Sequence, residues 1–135
     1  MSRGPKEVIE RSTVIAVVGA SRFPDKEAHS VPAEMQAAGF RIIPVNPHAD
    51  EILGEPVYRR LEDIPEPVDL VNVFRPSDRT PDVVRSAVAI RAKAVWLQLG
   101  IFSAQSRGIA EAAGLDYVED HCLAVERRRY GVTKP

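Results

Sequence analysis

The stretch "VIAVVGASRFPDKEAHSVPAEMQAAGFRIIPVNP", Val14 to Pro47, decides the fold. It follows Thr13 as part of "TVIAVVG" (Thr13–Gly19), a near-continuous apolar run rich in β-branched residues. Such a run lacks the alternation of a half-exposed strand and reads as a strand buried on both faces, as in a parallel sheet. Gly19 ends it, where a tight turn suits a residue without Cβ. In "HSVPAEMQAAG", Val31, Met35 and Ala38 recur at helical spacing, and Gly39 suits the position just past a helix end. "FRIIPVNP" is a second strand, ended by prolines. Strand, glycine turn, helix and strand together make a βαβ unit.

The alternation continues along the chain. Lys6–Ser12 is a short polar helix candidate with Pro5 suited to its first turn. "DEILGEPVY" predicts a turn at Gly54–Glu55 and a short third strand around Val57, and "LEDIP" predicts one helical turn. "VDLVNVF" (Val68–Phe74) is another buried strand. "PSDRTPDVVRSAVAI" offers Ser77 or Asp78 as an N-cap and an apolar stripe at Val83, Val84, Ala87 and Ile90. "KAVWLQLG" is a strand ending in glycine, "SAQSRGIAEAAG" a helix with Ser103 as N-cap and Gly114 as stop, "LDYVED" a last strand and "CLAVERRRY" a closing helix. This order predicts an α/β fold: a single-domain, doubly wound, mostly parallel sheet with helices on both faces, spanning 1–135 with a core of about 12–128. Ligands of such sheets bind outside the carboxyl ends of the strands, near the switch point of the topology.

Composition narrows the classes. The 135 residues carry a formal charge of −1, with 44% hydrophobic and 27% charged residues, as in an ordinary globular domain. No electrostatic footprint for nucleic acid or an anionic membrane is present. No apolar run approaches the roughly 20 residues of a spanning helix, and "MSRGPKEVIERS" has no apolar signal core. Cys122, the single cysteine, fits a reducing compartment, so a cytoplasmic location is expected. His29, His48 and His121 sit in separate loops and predict no metal site. Ser21 lacks a recognisable base partner, and no catalytic constellation is expected.

The strand ends hold the candidate binding residues. In "GASRFPDK", the amides of Ala20, Ser21 and Arg22 after Gly19 offer a nest for a phosphate, with the Ser21 hydroxyl and the Arg22 and Lys26 cations nearby. The bland alternative is a βα turn that binds nothing. Against the dinucleotide fingerprint G-x-G-x-x-G, only Gly19 of three glycines is present. In "PVNP", Asn46 stands near where NAD sites place a carboxylate on the ribose. An amide tolerates a phosphorylated ribose and a carboxylate repels it. In "VFRP", Arg75 suits a forked phosphate contact and Phe74 an adenine or pantetheine face; the alternative is a surface arginine before a turn. Gly100 precedes a helix whose N-terminal amides face the same crevice. Core packing is the simpler account of Trp96, and dipole complementation the simpler account of "ERRRY". Cys122 reads as a small buried residue.

Several spaced motifs together carry a resemblance. "VIAVVGAS…GFRIIPVNP…LGEPVYRRLEDIPEPVDLVNVFRP…AVWLQLGI…EDHCLAVE" resembles the small stand-alone CoA-binding domain proteins, Rossmann-like and similar to the N-terminal domain of the succinyl-CoA synthetase α-subunit, over about Ser12 to Arg128. The resemblance implies a coenzyme A site, with the diphosphate over Gly19, Ala20, Ser21 and Arg22, and Lys26 as a phosphate cation. It implies Val45 and Asn46 beside the adenosine, and Phe74, Arg75, Gly100 and Ile101 along the far side. A disulfide between Cys122 and the thiol of CoA is left open. It carries binding and not catalysis, because the synthetase's phosphohistidine lies in a second domain and none of these three histidines matches it. The expected function is a CoA or acyl-CoA binding protein without a catalytic centre, its partner a small nucleotide ligand. An NAD(P)-binding Rossmann module, as an oxidoreductase or redox sensor, is the alternative reading.

Overall fold

The computed structural model describes residues 3–135. In chain order the elements are α1 (Pro5–Glu10), β1 (Val14–Val18), α2 (Glu27–Ala37), β2 (Arg41–Val45), β3 (Glu51–Ile52), β4 (Glu55–Pro56), β5 (Leu70–Val73), α3 (Thr80–Ala89), β6 (Ala94–Leu97), α4 (Ala104–Ala112), β7 (Asp116–Val118) and α5 (Leu123–Tyr130). The main sheet has five strands in the order β2-β1-β5-β6-β7, all parallel. This is the expected Rossmann-like α/β architecture. The chain leaves β1 toward β2 and then returns to the other side of β1 to form β5. The switch point therefore lies at the carboxyl end of β1, where Gly19 stands.

The near-continuous apolar strands are buried on both faces. Ile15, Val17, Leu70 and Trp96 face a core shared with α1, α2 and α5. Ala16, Val71, Val95 and Leu97 face a second core shared with α3 and α4. Trp96 is fully buried, and its indole N–H donates to the His121 carbonyl at 2.8 Å, which fixes the approach to α5. At the opposite, amino end of the sheet, one Asp69 carboxylate oxygen accepts from the Thr13 and Val14 amides at 2.9 Å each. The other meets the Lys93 ammonium at 3.2 Å. One side chain thus ties together the starts of β1, β5 and β6.

Two local expectations are corrected. The short strand expected around Val57 lies just before it, as β4, antiparallel to β3 in a hairpin, and Tyr58 makes an isolated bridge to Val45. The turn falls at Leu53–Gly54, both at positive φ (56° and 74°), the pair of angles a tight two-residue hairpin requires. Neither Ser77 nor Asp78 caps α3: a 3₁₀ turn over Ser77–Arg79 intervenes, and Ser77 Oγ instead accepts from the Phe102 amide at 3.1 Å. The Ser103 cap is as expected, accepting from the Ser106 amide at 3.1 Å, and Gly114 follows the end of α4 at φ 79°.

Candidate functional site

The loop after β1 is held in three ways. The Gly19 amide donates to the Val45 carbonyl at 3.1 Å, joining the ends of β1 and β2. Gly19 has φ 85°, and a Cβ there would overlap the Phe74 carbonyl oxygen. The Ser21 amide donates to the Ala28 carbonyl at 3.1 Å. Pro32 explains that bond. It lies four residues beyond Ala28 inside α2 and has no N–H, so it leaves the Ala28 carbonyl without its helical donor. The Ser21 hydroxyl accepts from the Phe23 amide at 3.1 Å. The Ser21 amide is therefore not available for a phosphate nest. Arg22 stacks on the Phe23 ring at 5.0 Å, and both are exposed.

Asn46 is the hinge pin between loops. Its Nδ2 donates to the Ala20 carbonyl at 2.8 Å, and its Oδ1 accepts from the His48 and Ala49 amides at 2.7 and 2.8 Å. The amide is needed for both roles at once, since a carboxylate has no proton to give Ala20. Arg59 grips the same loop from below: Nη1 donates to the Asn46 and Ala49 carbonyls at 3.0 and 2.6 Å, and Nη2 to Asp50 at 2.8 Å.

Three cavities surround these strand ends. One of about 230 Å³ is lined by Gly19, Ala20, Ser21, Arg22, Phe23 and Asn46, among others. A second, about 300 Å³, lies on the α3 side and includes Val18, Val45, Arg59, Arg60 and Arg75. A third, about 300 Å³, runs between α2 and α5 and includes Ser30, Leu99, Cys122, Val125 and Arg128. The structure thus brings Gly19, Ala20, Ser21, Arg22 and Asn46 together in one cavity, and Val45 with Arg75 in the next. Lys26 precedes the first turn of α2, exposed, outside all three. Phe74 is half-buried and packs into the α2-side core. Ile101 packs toward α3 and α4. Gly100 lies outside these cavities, while its neighbour Leu99, 62% exposed, lines the third.

The second set of amide donors is also engaged internally. The Gly100 amide donates to Asp120 at 2.7 Å, the Ser103 amide to Glu119 at 3.2 Å and the Phe102 amide to Ser77. Glu119 also accepts from the Tyr117 hydroxyl at 2.9 Å; burial first, and this bond second, push the Tyr117 phenol above its usual range. Beneath the third cavity, the buried Gln98 accepts from Asn72 at 3.4 Å and from the Leu123 amide at 3.3 Å. Of the "ERRRY" arginines, Arg127 and Arg128 reach across to Glu34 of α2, at 3.3 and 2.9 Å, and Arg129 meets Glu126 of its own helix at 3.7 Å. Among the described residues no group of three or more His, Cys, Asp or Glu is placed to hold a metal ion. No helix among them is long and apolar enough to cross a membrane.

Sequence reasoning missed Arg59 and Arg60. The signal was the pair of adjacent arginines in "VYRRLEDIP", directly after the segment that bridges back to β2.

The chain is similar to several known proteins. The protein YneT of Bacillus subtilis (strain 168) is 40% identical over 129 residues, spanning 96% of this chain and 93% of its own. The ADP-forming acetate–CoA ligase II of Archaeoglobus fulgidus is 32% identical over 99 residues; the match takes 72% of this chain but 15% of the ligase. A solved structure from Thermus thermophilus superposes with a TM-score of 0.89 at 36% identity, covering 95% of this chain and 99% of that one. The family model of the CoA binding domain matches residues 13–128, and the chain belongs to that family.

Proposed function

We propose that this protein binds coenzyme A or an acyl-CoA at the carboxyl ends of β1, β2 and β5, without a catalytic centre of its own. The observation that carries the reading is Asn46. Its side chain both donates to the first loop and accepts from its own, so the position where NAD sites place a ribose carboxylate is held by a neutral amide. A phosphorylated ribose meets no repulsion there. The donor set fits such a ligand: Arg22 supplies a cation to the first-loop cavity, Lys26 stands exposed four residues on, and an arginine-rimmed cavity lies on the other side of the Gly19–Val45 bond. The similarity to a ligase named for CoA supports the same ligand class. Coenzyme A, when bound, supplies a thiol for acyl carriage; the chain's own groups bind and orient it. A reducing, cytoplasmic setting accords with Cys122 as a free thiol.

The test is calorimetric titration of the nucleotide-stripped protein with CoA, NAD and NADP. CoA is expected to bind, and NAD is not. Arg22→Ala and Lys26→Ala are each expected to weaken CoA by roughly 2- to 5-fold, the scale of exposed charge contacts. A preference for NAD or NADP would replace this reading with the dinucleotide module. Absence of binding to all three would leave the crevice without a nucleotide role.

A further inference from the structure

We infer that the cavity at the amino end of the sheet is a binding site for a small organic polyanion, with Arg11 and Arg91 as its principal contacts. It lies the length of the strands away from the crevice proposed for coenzyme A and does not rest on that reading. The cavity measures about 380 Å³. Its apolar floor includes Val8, Ala92, Ala94 and Leu115, all buried. Ala94 and Asp116 open β6 and β7, which places the cavity under the starts of those strands. Its charged lining is Arg3, Arg11, Arg91 and Lys93 against a single carboxylate, Asp116. The whole chain carries −1, so this wall is a local concentration of positive charge. An apolar floor with a few convergent charged groups is the composition of a small-molecule site. The planar fork of arginine matches a carboxylate or a phosphate in two hydrogen bonds.

Two of the four cations are already engaged. Arg3 meets Asp116 at 3.3 Å, and Lys93 meets Asp69 at 3.2 Å. The Arg11 and Arg91 side chains are exposed and make no hydrogen bond or ion pair among the described residues. The simpler account of both is that a cation complements a helix C-terminus, since Arg11 ends α1 and Arg91 follows α3. The carbonyls at those ends are already taken. The Arg11 and Ser12 amides donate to Glu7 and Ile9, and the Ser12 hydroxyl to Val8. The Arg91 and Ala92 amides donate to Val88 and Ala87, at 3.0 Å each. Neither guanidinium is spent as a cap. Arg91 also carries a backbone cost. The helices α2, α4 and α5 each close on a glycine at positive φ, Gly39, Gly114 and Gly131, whereas α3 closes on Arg91 at φ 60°. That conformation favours glycine, and here a cation holds it at the wall of a charged cavity.

The experiment titrates citrate and pyrophosphate, by calorimetry at constant ionic strength, into the full chain and into the variants Arg91→Gly and Arg11→Gln. Wild type is expected to bind at least one probe with a Kd below about 1 mM. Each variant is expected to weaken that binding roughly fivefold, between the worth of an exposed ion pair and that of a desolvated charged hydrogen bond. Thermal unfolding without anion checks the fold. Arg91→Gly is expected to melt no lower than wild type, because it relieves a left-handed residue; should it melt lower, Arg11→Gln carries the comparison. Provided the variants weaken it, preference for citrate assigns a polycarboxylate, preference for pyrophosphate assigns a phosphorylated ligand, and equal binding assigns a site selective for charge. Absence of binding to wild type overturns the inference. Binding that is unchanged in the folded variants also overturns it, because the anion then sits elsewhere on the molecule.

Discussion

Two glycines with nearly the same backbone angle separate strain from crowding. Gly19 (φ 85°) and Gly100 (φ 83°) both lie in the left-handed region, but a Cβ at Gly100 meets nothing within 4 Å, whereas at Gly19 it meets the Phe74 carbonyl. Gly100→Ala is expected to cost about 1–2 kcal/mol, the backbone term alone. Gly19→Ala adds a backbone displacement and is expected to cost well beyond that, together with ligand affinity; urea titration of both variants checks the order. Asn46→Asp keeps the shape and removes the proton given to Ala20. It is expected to cost about 1–3 kcal/mol, the price of an unmet buried partner, and to weaken CoA in the same calorimetric assay. The sequence marked both positions, Gly19 by its place after a buried strand and Asn46 by its departure from the carboxylate rule. Which atoms Asn46 holds was not legible, because its partner Ala20 is a main-chain carbonyl far away in sequence. For the same reason the Ser21 amide reads as a phosphate donor until Pro32 and Ala28 are placed beside it.

Among the elements, α2 is built around a defect with a purpose in packing. Pro32→Ala restores a helical donor to Ala28, which then competes with the Ser21 amide. The helix is expected to gain stability, since an interior proline costs about 3 kcal/mol, while the Ser21 amide exchanges faster with deuterium. Slower exchange at Ser21 would contradict the link. At the far end of the sheet, burial pushes the Asp69 carboxyl upward, but the Val14 and Thr13 amides and Lys93 outweigh it and hold it below its ordinary value. A depressed folded value gives stability that is present above the ordinary aspartate range and lost as pH falls through the folded value. Asp69→Asn is therefore expected to be less stable than wild type at neutral pH, with the gap closing below about pH 3.9; paired denaturation curves across pH 2.5–7, roughly the span over which a carboxylate titrates, test it. The strands and α2, α4 and α5 were legible because buried strands and apolar stripes have strong periodic signatures. The start of α3 and the β3–β4 hairpin were not, since Ser77 and Leu53 take their conformations from partners such as Phe102 and from a turn that depends on two residues jointly.

At the scale of the whole molecule, the fold and the position of its candidate site follow from strand order, and order follows from the alternation of strand and helix along the chain. The site is less legible. Strand-end residues were identifiable, yet their division among separate cavities depends on which sheet face each side chain takes, and Arg59 and Arg60 enter only through a segment with a single bridge to β2. The two ends of the described chain lie at the amino end of the sheet, and the Arg3 amide donates to Asp116, at the start of β7, at 3.0 Å. Lys134 donates from its main chain to the Ala38 carbonyl at 2.8 Å and from its ammonium to the Glu10 carbonyl at 2.7 Å, and Gly39 leaves room for this passage because a Cβ there would overlap the Lys134 carbonyl. Entry and exit thus sit near the two outer strands, β7 and β2, both at the end of the sheet away from the strands' carboxyl ends. Such a unit can be tethered by either end without a linker passing over the carboxyl ends of the strands.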